Sequence, residues 1–328
     1  MKNFKLLGII LASMLVNATA VAEVKLGYVP TEEHPVGQGV KFFVEQVKKK
    51  TNGRIDIAMY SGGMLGNEPQ MQSSLQGGFL ELMVGPTSNF VGSIKEFGIY
   101  DLPFFYANFK QVDAVMDGDI GQKLFDKLDS VKTVGLAYWD NGFRHMTNAK
   151  RKIEKVEDIK GLKIRVIPNP LFIGTFEALG ANPVPMPYPE LYNALESKAV
   201  DAQETPVGLI LASKFYEVQK YLTLTGHIYT PFMLLASKKW FSSLSPEDKK
   251  LVMEAAHESA TYQRKLSRDA ADQIAHVVLK EHGMEVTELA PEEHARMQEL
   301  VKPVVQKYSK IIGNDLVDQA RADMAKAE

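Results

Sequence analysis

Cysteine is absent from all 328 residues, which excludes disulfides and thiolate metal sites. Long apolar runs are scarce too. The run from Leu6 to Val16 is well short of the ~20 residues that span a bilayer, and nothing longer follows it. The densest positive run is Lys48-Lys49-Lys50. It falls where a helix is expected to end, so the three cations complement the helix dipole and face solvent. An acidic chain without a basic block makes nucleic acid an unsuitable partner. Repeats and low-complexity segments are missing, which argues against a structural or adhesive role.

Catalytic signatures are missing as well. There is no G-x-S-x-G elbow, no H-E-x-x-H and no P-loop. Gly37-Gln38-Gly39 imitates half of a dinucleotide fingerprint, but Phe42 stands where the third glycine is required. The seven histidines are scattered without the spacing of a zinc site. No metal and no cofactor is expected.

At the N-terminus, Lys2 and Lys5 precede the apolar run, and Ala20-Val21-Ala22 follows as a small-x-small segment. That is the layout of a secretory signal peptide over residues 1–22, cut before Glu23, and it implies a periplasmic destination. The remainder carries 36 Lys+Arg against 40 Asp+Glu, a net charge of −4. Its length suits two domains of ordinary size, and a monomer is expected.

Apolar periodicity predicts a strand over 24–29, a helix over 36–51, a strand over 54–60, a helix capped by Asn67 and a strand over 79–84. Strands are expected again over 134–139, 144–147, 162–167, 200–203 and 221–225. The prolines of 183–187 argue against a central strand, and residues beyond Pro246 read as almost wholly helical. This alternation predicts an α/β protein of two lobes, each a sheet flanked by helices. The expected division is 23–142 with 231–270 for lobe 1, and 143–230 with 271–328 for lobe 2. A long C-terminal helix would span the two. Ligands of open α/β sheets collect beyond the carboxyl ends of the strands. The cleft should therefore be lined by loops at 28–34, 86–90, 139–144, 168–171 and 203–206.

Arg165 is the leading candidate on that cleft. It sits in Gly161-Leu162-Lys163-Ile164-Arg165-Val166, a short buried strand ended by Pro168-Asn169-Pro170. A guanidinium stripped of water needs an anion, and arginine suits fork-like pairing with a carboxylate. That anion is either an internal acid, Asp201 or Glu204, or a ligand. Arg144, in a turn at Asn141-Gly142-Phe143-Arg144, is a second cation for the same anion. Tyr188 lies between two prolines in a fixed loop, and Glu68 lies in the first turn of a helix, where dipole complementation explains it equally well. Asn89, Thr205 and His34 complete the candidate set, His34 because it follows the first strand. Together these residues describe a carboxylate binder. The competing readings are a sensor for a receptor kinase and a secreted α/β enzyme using Glu68 with Asp or His side chains.

Three segments carry a resemblance: 161–166, Ala178-Leu179-Gly180-Ala181-Asn182-Pro183-Val184-Pro185-Met186, and Val200-Asp201-Ala202-Gln203-Glu204. With Thr51-Asn52-Gly53-Arg54-Ile55, Leu65-Gly66-Asn67-Glu68 and Lys214-Phe215-Tyr216-Glu217-Val218-Gln219-Lys220, they resemble the substrate-binding proteins of TRAP transporters, in the C4-dicarboxylate (DctP-like) branch. The resemblance implies a two-lobed, type II-like periplasmic binding protein fold with a mixed sheet in each lobe. It also implies a small organic acid as ligand, of sugar acid or C4-dicarboxylate type, delivered to integral membrane TRAP permease subunits coupled to an ion. Arg165 matches the family's carboxylate-gripping arginine, Arg144 a second contributor and Tyr188 the aromatic after the Pro-x-Pro-Met segment. Many members carry Gln-Glu-Asn-Pro where this chain has Gln203-Glu204-Thr205-Pro206, so Thr205 offers a hydroxyl in place of an amide.

Overall fold

The structure is a computed structural model that describes residues 23–327; the expected signal peptide lies outside the described residues. Its strands are β1 (Val24–Gly27), β2 (Ile57–Tyr60), β3 (Leu82–Pro86), β4 (Thr133–Asn148), β5 (Lys163–Val166), β6 (Asn182–Pro185), β7 (Ala202–Pro206), β8 (Tyr221–Leu224), β9 (Tyr229–Ser237) and β10 (Glu285–Glu288). They run in the order β2-β1-β3-β9-β4-β7-β5-β6, with β8 and β10 branching from β4.

The first lobe starts from two parallel crossovers. β1 pairs in parallel with both β2 and β3. The helix Pro35–Lys50 buries Val36, Val40, Phe43 and Val47 along one stripe, as its apolar spacing requires. The helix Glu68–Gly77 is fixed at both ends, by a capping box between Asn67 and Gln70 and by the left-handed Gly78. β9 then enters antiparallel between β3 and β4. Its apolar run, interrupted by Pro231, gave no alternation to mark it as a strand. Pro231 faces Asp140 beside a register shift in β4, a place where the ladder tolerates a residue without an N–H.

β4 joins the two lobes. The sequence suggested two strands separated by a turn, whereas the chain is extended for 16 residues. Thr133 to Phe143 pairs with β9 and Arg144 to Asn148 pairs with β7, so the strand passes from one sheet into the other. Gly142 absorbs the irregularity between them at φ 117°. In the second sheet β5 lies between β6 and β7, and the proline-rich β6 takes the edge.

Helices cover both faces of the first sheet. The helix Pro246–Gln273 packs Val252, Ala255 and Ala256 into its core, then continues to Glu281, where Ala275 and Leu279 join the core of the second lobe. One helical run thus ties the lobes together, and among the described residues no helix is long and apolar enough to cross a membrane. The region after Pro246 is almost wholly helical, as expected, the exception being β10, which pairs in parallel with β8. The last helix, Asn314–Lys326, buries Val317, Ala320 and Met324 among Val112, Val115 and Tyr100. These partners lie in the segment expected to form lobe 1, although the sequence reading grouped the terminal helix with lobe 2.

Candidate functional site

Strand alternation puts Ile164 and Val166 into the core of the second lobe and turns Arg165 to the other face. There, 2 % exposed, Arg165 reaches a narrow cavity between the lobes, of about 40 Å3. Its Nε donates to the Met186 carbonyl at 2.8 Å. Its Nη1 is buried without a hydrogen-bond partner, and its guanidinium lies 5.6 Å from the centre of the Tyr188 ring. Burial pulls its pKa down to about 10, so it remains a cation at neutral pH. Neither internal acid named from the sequence pairs with it. Asp201 takes Lys150 Nζ at 2.9 Å and the Lys163 N–H at 3.0 Å, and Glu204 belongs to Arg144.

Arg144 is also on the cavity wall, but its charge is met. Its Nε donates to Glu204 Oε2 at 2.5 Å, and its Nη2 donates to Oε1 at 2.8 Å and to the Glu204 carbonyl at 2.6 Å. The guanidinium lies over Phe172 at 5.1 Å. Burial alone would push the Glu204 carboxyl up; Arg144, with His227 Nε2 at 3.1 Å, holds it below the usual carboxylate range. The expected second free cation is therefore half of a buried ion pair.

Glu68 enters from the first lobe at the start of its helix. Burial raises its carboxyl pKa, and Arg165 partly opposes that rise. Asn89, on the single turn Thr87–Phe90 after β3, lies on the same wall. Tyr188 is fixed by a 2.8 Å hydrogen bond between its hydroxyl and Ser213 Oγ. Thr205 Oγ1 has only a long contact, 3.4 Å, with the Pro206 carbonyl. Six of the seven residues named from sequence thus line one cavity.

His34 does not join them. Its ring caps the helix Pro35–Lys50, with Nδ1 accepting from the Val36 N–H at 3.1 Å, and it borders a separate cavity beside Phe143 and His145. Burial lowers its pKa to about 3, the state of a neutral capping acceptor. Position after the first strand brought it close to the cleft; helix capping turned it away.

Sequence reasoning missed Asn141, which lines the cavity at the β4 irregularity with its side-chain oxygen buried and unpartnered. The loop 139–144 was expected on the cleft, but Asn141 was not singled out within it. The apolar wall is rich in proline: Pro30, Pro69, Pro86, Pro168 and Pro187 all border the space. Such residues offer no N–H and little freedom, so they shape a site without competing for its polar contacts. The lining holds no histidine, lysine or cysteine, and among the described residues no cluster of three metal-ligating side chains occurs. The arrangement suits holding an anion.

The solved structures bear the same architecture. A sugar acid binding protein from Advenella mimigardefordensis in complex with galactonate is 42 % identical, with a TM-score of 0.91 over 93 % of this chain and 98 % of that one. A TRAP periplasmic solute binding protein from Sulfurospirillum deleyianum with bound succinate is 30 % identical, with a TM-score of 0.86 over 92 % and 98 %. Among curated relatives, the 2,3-diketo-L-gulonate-binding periplasmic protein YiaO of Escherichia coli is 34 % identical over 84 % of both chains. Residues 26–311 match the family described as bacterial extracellular solute-binding protein, family 7. The chain belongs to that family, the DctP-type solute-binding proteins of TRAP transporters.

Proposed function

We propose that this chain captures a small organic acid between its lobes through Arg165 and presents it to the membrane subunits of a TRAP permease. The observation that carries the reading is Arg165, on the wall of the interlobe cavity, with a buried Nη1 that has no hydrogen-bond partner of its own. A buried polar group without a partner is costly, and an incoming carboxylate removes that cost. Related proteins with bound galactonate and succinate supply the ligand class, a sugar acid or a C4-dicarboxylate.

Because Glu68 and Asn89 come from one lobe and Arg165, Tyr188 and Thr205 from the other, a ligand touching both sets favours the closed form. Closure excludes water and strengthens the arginine–carboxylate attraction. The protein works after export and removal of residues 1–22, as a monomer, and releases its ligand chemically unchanged.

A thermal-shift screen of organic acids identifies the ligand, since selective binding to the native state raises its melting point. Calorimetry on Arg165→Ala should then show a loss of about 2–5 kcal/mol, roughly 30- to several-thousand-fold in affinity. Arg165→Lys should also lose substantially, because a point cation cannot replace the fork. Unchanged affinity in Arg165→Ala would refute the assignment.

A further inference from the structure

We infer that the cavity takes an acid with a single carboxylate on a hydroxylated chain, and that it selects against a second carboxylate. This deepens the reading above and rests on it: Arg165 is taken as the seat of the first carboxylate.

The charges on the wall support one anionic group and no more. Its cations are Arg144 and Arg165, and Arg144 is matched by both oxygens of Glu204. One guanidinium is thus left for the ligand. The acidic group on the wall is a carboxyl, Glu68, which comes from the opposite lobe. It is close enough to Arg165 for the two charges to interact, so it adds negative charge to the space rather than a second cation. A diacid seated on Arg165 would carry its second carboxylate into a closed space with no unpaired cation and with Glu68 on the wall. Like charges juxtaposed without water are strongly unfavourable.

The polar atoms left open point to hydroxyl groups. The Asn141 side-chain oxygen is buried without a donor, and the Glu68 carboxyl on the same wall is an acceptor when ionised. A carboxylate has no hydrogen to give them. An alcohol has, and Thr205 Oγ1, with only its long contact to Pro206, can give or accept in turn. Around these atoms the wall is ring and proline, Phe232 and Tyr188 among it, which suits the C–H faces of a polyol chain.

Calorimetry on matched pairs tests this. Each pair shares its carbon chain and internal hydroxyls and differs in one terminal group, CH2OH against carboxylate: threonate against tartrate, and gluconate or galactonate against the corresponding aldarate. Butyrate serves as an acid without hydroxyls. The tightest aldonate should bind at least about 30-fold more tightly than its aldarate partner, and butyrate should be weaker than threonate. In Glu68→Gln, which keeps the shape of the wall and removes its charge, the aldonate–aldarate gap should narrow by about tenfold or more. A diacid that binds native protein as tightly as its monoacid partner overturns the selectivity while leaving the carboxylate site standing. An unchanged gap in a folded Glu68→Gln variant removes Glu68 from the argument and overturns it as stated. Failure of every acid to bind overturns the reading on which the inference rests.

Discussion

Glu204 accepts two hydrogen bonds from the Arg144 side chain, at 2.5 and 2.8 Å, across the antiparallel pair β4–β7. In register Arg144 stands opposite Pro206 and Glu204 opposite Met146, so the two are diagonal neighbours, within reach for long side chains. The pairing separates two arginines that look alike in sequence. Arg144 is neutralised inside the fold, whereas Arg165 keeps a buried nitrogen unmatched.

Removing one half of the buried pair should therefore damage the fold. Glu204→Gln leaves the Arg144 charge uncompensated and is expected to cost about 3–5 kcal/mol in urea unfolding. Replacing both residues by methionine should cost far less than the two single changes together, because the double variant strands no charge. A single-variant loss below about 1 kcal/mol would show that the pair is not what neutralises Arg144.

Arg165 should behave in the opposite way. In the ligand-free protein Arg165→Met removes an unpartnered guanidinium nitrogen at the expense of one hydrogen bond to the Met186 carbonyl, worth about 1 kcal/mol. Its unfolding free energy without ligand should stay within about 1 kcal/mol of the native value, while the rise in melting temperature caused by ligand disappears. A ligand-free loss of about 3 kcal/mol or more would assign Arg165 a structural partner instead.

Much of this was legible in the sequence because it depends on local pattern. The strand 163–166, its breaking prolines and the cap at Asn67 are short-range features, and they place Arg165 and Glu68 at element ends. What was not legible depends on pairing between distant segments. Nothing near Arg144 announces Glu204, 60 positions away, as its partner. β9 is buried throughout, so it lacks the alternation that reveals a half-exposed strand, and its proline disguised it further. His34 shows the converse: its placement near the cleft followed from chain order, but its role followed from a backbone N–H two residues on.

Asp101 carries the remaining prediction. It is fully buried, accepting from Ser88 Oγ at 2.6 Å and from Asn169 Nδ2 at 2.8 Å, and so links the first lobe to the loop that follows β5. Burial pushes its pKa up to about 7, against the opposing pull of Ser88, Arg144 and Asn169, with Glu204 adding to the rise. An ordinary aspartate titrates near 4 in the unfolded chain. Between about pH 4 and 7 the folded protein therefore holds a proton that the unfolded chain has released, and stability falls as pH rises through that window. From pH 5 to pH 8 this group should cost about 2 to 3 kcal/mol. Asp101→Asn cannot ionise, and its amide can still accept from Asn169 and donate to Ser88 Oγ, so its urea unfolding should lose that much less over the same range. Parallel pH profiles for the native protein and the variant would mean that Asp101 does not titrate there, and that the link between the lobes is indifferent to pH.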